Sequence, residues 1–410
     1  MNKNSSGLIL VLLFVLASNV LSQFESEYRI KNIITETGFE NVRIKSFEKT
    51  LYVEFENRLY RFEVTALFEL LKLIKNEISD FNNIYLLIKN KNIPLAEVKV
   101  AQSDLINWFN NIITNSEFSE LIEIRFDEFE DWEKIFGTSD VSNSSNMKFD
   151  LVLKPTYRFQ FGVLSQPVLY QLNFTPHIQF GLWKGMSGLY ELTIPLHNDF
   201  SPREDSVRTS MVVLNQTMRL SNSFLLSLSL GYFSLERYGF DVEARNYFSN
   251  GNISVGINLG YTGYASFTMR RMYYSDLYQW TGSVDLSYRI PEYDLSLGLT
   301  AGKYLSNDNI IRFDIYREFS EIQIGFFVMR STKGISNGGF NFSVPLFPSK
   351  YWKPGLVRIR TTENIGHSYK VKIAEQIGLK YDTGFGINNF LKKLNPGFIK
   401  NYINNRININ

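Results

Sequence analysis

The sequence contains no cysteine and only three histidines, which removes several kinds of chemistry at the outset. Disulfides, thiolate nucleophiles and thiolate-bound metals all need cysteine, and three isolated histidines do not make a multi-histidine metal centre. Motifs of serine hydrolases, zinc proteases and phosphate-binding loops are also missing. A net charge of +2 argues against general binding to nucleic acid. We therefore expect no catalytic residue, no metal and no cofactor.

After its N-terminus, the chain also lacks an apolar run of about 18 residues, the length that a transmembrane helix needs. The N-terminal run from Leu8 to Ala17 is shorter and has the form of an export signal. Val20 and Ser22 suit cleavage before Gln23, so residues 1–22 are predicted to be a signal peptide. The alternative is a buried N-terminal helix.

Charge is distributed unevenly along the chain. Residues 23–148 carry 15 basic and 22 acidic side chains, residues 149–350 carry 17 and 16, and residues 351–410 carry 10 and 3. The three parts therefore have net charges of −7, +1 and +7 (15 − 22, 17 − 16 and 10 − 3). An acidic beginning, a neutral middle and a basic end indicate three different environments.

The acidic beginning has the sequence pattern of a small α/β domain. Leucines and isoleucines at helical spacing predict a helix over 65–79, and short strand patterns surround it. We assign this domain to residues 23–136. Residues 137–148 are rich in serine and asparagine and are predicted to be a linker.

From Phe149 onward, apolar and polar residues alternate with a period of two. The alternating segments run roughly 9–12 residues, which is long enough for a tilted strand to cross a bilayer. Tyr273, Tyr274, Tyr278 and Trp280 stand near strand ends, as in an interfacial aromatic girdle.

The predicted fold is therefore mainly β: a transmembrane antiparallel β-barrel of about 12–14 strands over residues 149–387, preceded by the small α/β domain in the periplasm. The alternative is a soluble sandwich, whose apolar faces would point inward. The export signal and the length of the strands favour the barrel. Residues 388–410 remain as a basic tail.

Charged residues on the polar side of these strands are predicted to face the lumen, where they could contact a glycan. Their signs are mixed, which suits a hydrated neutral or weakly charged solute; the alternative is that they pair with one another and stabilise the barrel. The candidates are Lys154, Arg158, Asp241, Glu243, Arg245, Asp285, Arg289, Asp294, Arg312 and Asp314.

Two stretches resemble a known family. In residues 302–319 a Gly-x-Tyr-Leu turn and an aspartate precede a strand ending in Arg-x-Phe, and residues 338–346 form a strand ending in Pro-Leu. Both are similar to segments of the YjbH/GfcD-type exopolysaccharide proteins of the Gram-negative outer membrane. The matching positions are Gly302, Tyr304, Leu305, Asp308, Arg317, Phe319 and Pro345. One departure is Asn309-Ile310, where the family often has glycine.

The resemblance implies a non-catalytic role in the export or assembly of an extracellular polysaccharide. Its implied location is the outer membrane, with the α/β domain in the periplasm. The implied partners are outer-membrane lipid, polysaccharide and other polysaccharide-export proteins. The basic tail would pair with the acidic domain or with an anionic glycan.

Two other functions remain open from the sequence. One is a structural or adhesive barrel whose loops bind external ligands. The other is a barrel enzyme that hydrolyses lipid or glycan, for which His177 and His197 would be the first residues to test.

Overall fold

A computed structural model describes residues 25–161, 167–267, 272–371, 377–387 and 391–405. The predicted signal peptide, residues 1–22, lies outside the described residues. The chain is mainly β, as the sequence predicts, with a small sheet followed by a much larger, mostly antiparallel one. Among the described residues, none of the helices combines the length and the apolar content needed to cross a membrane.

The first part of the chain is a five-stranded sheet with helices. The strand order is β1-β2-β3-β4-β5, and only β2 and β3 run parallel. A parallel pair needs a crossover connection, which α2 supplies. The elements are α1 (25–37), β1 (Glu40–Phe47), β2 (Thr50–Glu56), α2 (Glu63–Ile74), β3 (Asn83–Asn90), β4 (Ile93–Ala101), α3 (Gln102–Phe109), α4 (Asn115–Leu121), β5 (Glu123–Arg125) and α5 (Trp132–Phe136).

Helix α2 packs against this sheet because its apolar residues repeat every three to four positions. Val64, Leu67, Leu71 and Ile74 are fully buried. The helix ends at Ile74, earlier than the predicted 79.

The second part of the chain is built of long strands. Consecutive strands pair as antiparallel hairpins from β10 through β14 and again from β16 through β20, and β14 pairs with both β15 and β16. The strands are β6 (Phe149–Leu153), β7 (Pro155–Phe161), β8 (Val168–Phe174), β9 (His177–Gly181), β10 (Met186–Asn198), β11 (Arg208–Arg219), β12 (Phe224–Phe233), β13 (Arg237–Phe248), β14 (Ile253–Phe267), β15 (Met272–Tyr274), β16 (Gln279–Ile290), β17 (Leu295–Lys303), β18 (Asn309–Phe319), β19 (Ile322–Ser331), β20 (Ser336–Pro345), β21 (Val357–Thr361) and β22 (Asn364–Lys370).

Beyond β20, the sheet continues through β22, and the strand order returns through β21, β6, β7, β8 and β9 to β10. The rings of Tyr157 on β7 and His367 on β22 stack with centroids 5.5 Å apart. Seventeen strands occur in the described part of residues 149–370, against the expected 12–14. Part of the excess arises where Pro155 and Pro176, which have no amide hydrogen to donate, mark breaks between β6 and β7 and between β8 and β9.

The large sheet exposes its apolar side chains and buries its polar ones. On β12, Leu230 is 60% exposed, whereas the neighbouring Ser229 is 5% exposed. On β19, Phe326 and Val328 are also 60% exposed. This is the reverse of a soluble sandwich, in which the apolar side faces the core. Further exposed apolar residues on these strands are Val212, Leu214, Leu228, Val255, Ile257, Leu259, Val284, Leu286, Leu299, Ile311, Phe313, Ile324, Phe340 and Phe342.

The α/β part is fixed to the turns at one end of the large sheet. In the turn after β13, the Asn250 side chain donates to the Ile124 carbonyl (2.9 Å) and accepts from the Phe126 amide (2.7 Å). Arg219, at the end of β11, donates to the carbonyl oxygens of Pro94 (2.8 Å) and Phe126 (2.6 Å).

Buried ion pairs join the same two parts. Arg358 on β21 lies 2.6 Å from Glu40 on β1 and 2.8 Å from Asp150 on β6, and all three side chains are buried. Removing one member of such a group would leave an unpaired buried charge. We conclude that the two parts are held together by specific polar contacts.

The predicted linker, residues 137–148, connects the two parts but packs along β1. The amide of Asn41 donates to the Asn143 carbonyl and that of Val42 to the Ser142 carbonyl, both at 3.0 Å. The segment therefore extends the edge of the small sheet.

Residues 391–405, the last that the structure describes, fold back onto the α/β part, where helix α6 (Pro396–Asn404) lies. Phe398 and Ile399 are buried in the same apolar core as α2, and the rings of Phe398 and Phe62 meet at 5.8 Å. The Asn395 side chain caps the helix by accepting from the Gly397 amide (3.0 Å). Much of the predicted basic tail thus belongs to the folded core.

Candidate functional site

Most of the predicted lumen residues lie in ion pairs or hydrogen bonds on the inner face of the sheet. Arg245 contacts Asp285 at 2.8 Å and Glu243 at 3.8 Å. Arg289 contacts Asp294 at 2.9 Å and also reaches Glu318, which sequence reasoning missed, at 2.7 Å. These contacts fit the alternative that the charges stabilise the sheet.

The remaining candidates also have partners. Lys154 pairs with Glu191 at 3.0 Å, Arg312 pairs with Asp314 at 2.7 Å, and Arg158 lies over the Phe200 ring, 3.6 Å from its centroid. Asp241 accepts hydrogen bonds from Asn258 (2.8 Å) and Tyr381 (2.7 Å).

Residues 377–387, which the sequence places in the barrel wall, instead pack against the inner face of the sheet; we call them the inner segment. The Ile387 amide donates to Glu243 (3.0 Å), and the Asp382 carbonyl accepts from the Ser234 amide (3.1 Å). The Tyr381 hydroxyl lies so close to Gly260 on β14 that a Cβ there would collide with it. The inner segment therefore occupies part of the space that the sequence assigns to the lumen.

The family-motif residues hold one end of the inner segment. The Leu305 amide donates to the Leu379 carbonyl (3.1 Å), and Tyr304 packs with Ile377 in a buried cluster. Asp308 fixes this turn by accepting from Ser331 and Thr332. Gly302 approaches Ser283 across the β16–β17 pair, and Arg317 lies over the Phe319 ring. Pro345 ends β20.

A cavity of about 490 Å³ lies where the α/β part, the inner face of the sheet and the inner segment meet. The α/β part contributes two turns to its wall. In the turn after β2, Asn57 accepts from the amides of Leu59 (3.0 Å) and Tyr60 (2.9 Å). In the turn after β3, Glu56 accepts from the amides of Lys91 (2.9 Å) and Asn92 (3.0 Å). These contacts set the positions of Arg58, Tyr60, Arg61 and Lys91 along the wall.

Two charged groups of this cavity have strongly shifted pKa values. Burial, reinforced by the charge of Glu363, raises the pKa of Glu63 to about 8. Burial, reinforced by Arg58, lowers the pKa of Lys91 to about 7. Both side chains keep some accessible surface because they face the cavity. Near neutral pH, Glu63 is therefore mainly a neutral hydrogen-bond donor.

The shift of Glu63 predicts a pH dependence of stability. Between about 4.5 and about 8 the folded chain holds a proton that the unfolded chain has lost, so stability falls as pH rises through this window. Glu63→Gln should make this fall in the thermal midpoint shallower, measured in detergent from about pH 4.5 to about 7, below the range in which Lys91 contributes with the opposite sign. Glu69→Gln, on the same helix but outside the cavity wall, should keep it; a wild-type midpoint independent of pH would contradict the prediction.

The cavity was not predicted from the sequence, since its wall combines a helix start, two turns, several strand ends and the inner segment. None of the three histidines lies in its wall. His197 contacts Asp199 (3.0 Å) and stacks on Tyr170, while His177 lies 3.7 Å from Glu191. Within the described ranges, acidic and histidine side chains form no cluster suited to a metal ion.

Comparison with known proteins gives one strong match. No curated protein matches the sequence significantly. Among solved structures, OmpTdeltaL8, a loop L8 deletion mutant of the outer membrane protein OmpT of Vibrio cholerae, aligns with 55% of this chain and 93% of its own, at 7% identity and a TM-score of 0.28. That score supports no conclusion. Residues 17–346, most of the chain, match the YjbH family, described as exopolysaccharide biosynthesis protein YbjH, and the chain therefore belongs to this family.

Proposed function

We propose that this protein is a non-catalytic outer-membrane β-barrel that takes part in the export or assembly of an extracellular polysaccharide. The family supplies the role in exopolysaccharide biosynthesis. The chain's own residues support the membrane barrel and the handling of glycan.

The observation that carries the proposal is the inverted large sheet. Its outer side presents leucine, isoleucine, valine and phenylalanine, and its inner side presents serine, asparagine, threonine and paired charges. In water such an outer surface would be a large apolar patch. In a bilayer it is the expected surface, and the return of the strand order to β10 supports a closed barrel, in which the backbone groups would pair with one another.

Aromatic residues stand at both ends of the outer surface, as in the girdles of outer-membrane barrels. Tyr274 (70% exposed) and Trp280 (54%) lie at the end away from the α/β part. Trp183 (57%) and Phe319 (46%) lie at the end next to it. These two sets of aromatic residues support the proposal that lipid surrounds the part of the sheet between them.

The proposed orientation puts the α/β part in the periplasm. Outer-membrane barrels have short turns on the periplasmic side and longer loops outside. Next to the α/β part, β11 and β12 are joined by residues 220–223, and β18 and β19 by 320–321. At the other end, β10 and β11 are joined by residues 199–207.

A clean gene deletion tests the function. Surface polysaccharide should fall, the plasmid-borne gene should restore it, and the protein should fractionate with the outer membrane. Resistance to large antibiotics serves as the control for general membrane integrity. Unchanged polysaccharide, or a purified protein that stays monodisperse without detergent, would reject the proposal. Loss of surface binding alone would favour an adhesin, and hydrolysis abolished by His177→Ala or His197→Ala would favour an enzyme.

A further inference from the structure

The cavity between the α/β part, the sheet and the inner segment has a wall that is mostly polar. Gln323 on β19 and Ser343 on β20 are directly opposite each other in the register, and both line it. Asn90, Gln179 and Thr217 add amide and hydroxyl groups. Such groups both donate and accept hydrogen bonds.

Most of the charges in the wall are already compensated by protein groups. Arg61 makes a two-point contact with Glu321 at 2.8 and 2.9 Å. Lys393 lies 3.8 Å from Glu363. Arg58 pairs at 2.6 Å with Glu56, which also holds the turn after β3.

Four further charged groups line the wall. Arg360 lies 3.6 Å from Asp150, and Glu318 pairs with Arg289 at 2.7 Å. Lys91 lies over the Phe385 ring, 4.2 Å from its centroid, and desolvation disfavours its charged form. Glu63 has one buried carboxyl oxygen without a hydrogen-bond partner. An anionic ligand would meet guanidinium groups that already pair with carboxylates, with Glu63 close by, whereas a hydroxyl-rich ligand would meet donors and acceptors over much of the wall, including the Nε atoms of Arg58 and Arg360, which have no hydrogen-bond partner.

We propose that this cavity binds a short, uncharged, hydroxyl-rich segment of a glycan, using Gln323, Glu63 and Lys91. This inference rests on the proposed function and deepens it by naming the site and the class of ligand. The volume is within the range of small-molecule sites, and the aromatic residues in the wall, Tyr60, Tyr351 and Phe385, add contact surface.

The site can be tested with the organism's own polysaccharide. Mild acid releases oligosaccharides, which anion exchange separates into uncharged and acidic fractions. Calorimetric titration of the detergent-solubilised full-length protein should show binding of the uncharged fraction. Gln323→Leu and Lys91→Met should each weaken it about tenfold, the size of one lost buried hydrogen bond. Gln160→Leu, the same exchange at the far end of β7, should leave it unchanged.

Glu63 offers a readout that a merely structural role would not give. Glu63→Gln keeps a hydrogen-bond donor without charge and should keep the affinity at neutral pH, whereas Glu63→Leu should lose it. Binding confined to the acidic fraction, or no binding of either fraction by the folded wild type, would overturn the site. The Gln323→Leu gene can also be expressed in the deletion strain that lacks surface polysaccharide. Full restoration of the polysaccharide by this variant would overturn the site while leaving the proposed function intact.

Discussion

Replacing Phe326 by arginine is expected to destabilise the protein in a bilayer by about 2–4 kcal/mol, the cost of arginine on the lipid face near the midplane. Phe326 lies in the middle of β19 and is 60% exposed. In water, a substitution at such an exposed position would have little effect. The measurement is the free energy of unfolding by urea after folding into phosphatidylcholine vesicles, followed by tryptophan fluorescence.

Phe47, at the end of β1 in the α/β part, provides a matched control because its exposed fraction is also 60%. Phe47→Arg should change the stability by no more than about 0.5 kcal/mol. The same small effect from both substitutions would show that the outer face of β19 does not meet lipid. A large effect from Phe326→Arg alone would support the membrane barrel independently of the polysaccharide phenotype.

The mainly β character of the chain and the position of α2 could be predicted because both sequence patterns have a strong local period. The helical spacing of apolar residues places α2, whose predicted range of 65–79 overlaps the observed Glu63–Ile74. The predicted helix end is too late because Ile78 continues the apolar pattern and is buried. In the structure the helix has already ended in a turn, in which the Glu77 amide donates to the Ile74 carbonyl (2.9 Å). Alternation of period two likewise reveals the long strands but not which side is outside.

The candidate site was harder to predict because long-range contacts create it. Glu63 begins a helix, Lys91 is in a turn, and Gln323 is on a strand far along the chain, so no local motif joins them. The sequence pattern assigns the inner segment to the barrel wall because strand-like segments can be counted from Phe149 to about residue 385. Gly378, Gly384 and Gly386 within it were the available sign of an irregular path.

Replacing the inner segment, residues 377–387, with a Gly/Ser sequence of equal length is expected to turn a non-conducting protein into one with discrete open-channel steps in planar bilayers. Tyr381 packs against Phe233 at 5.2 Å and bonds to Asp241, and Ile377 packs with Met329. These contacts fill the inner space of a sheet large enough for a polar lumen. Gly/Ser residues have no side chains that reproduce them, so water and ions should enter.

This replacement keeps α6 in the core of the α/β part but removes Ile387 from that core, so the fold of the variant is checked by heat-dependent mobility on gels. The matched control carries the same Gly/Ser sequence after Asn410 and should show no channel steps. A folded replacement variant without channel steps, or a wild-type protein that already conducts ions, would show that the inner segment does not block the lumen. Conduction by the replacement variant alone would mean that a glycan crossing the proposed barrel would have to displace the inner segment, whose anchor at Leu305 and Asp308 belongs to the family motif.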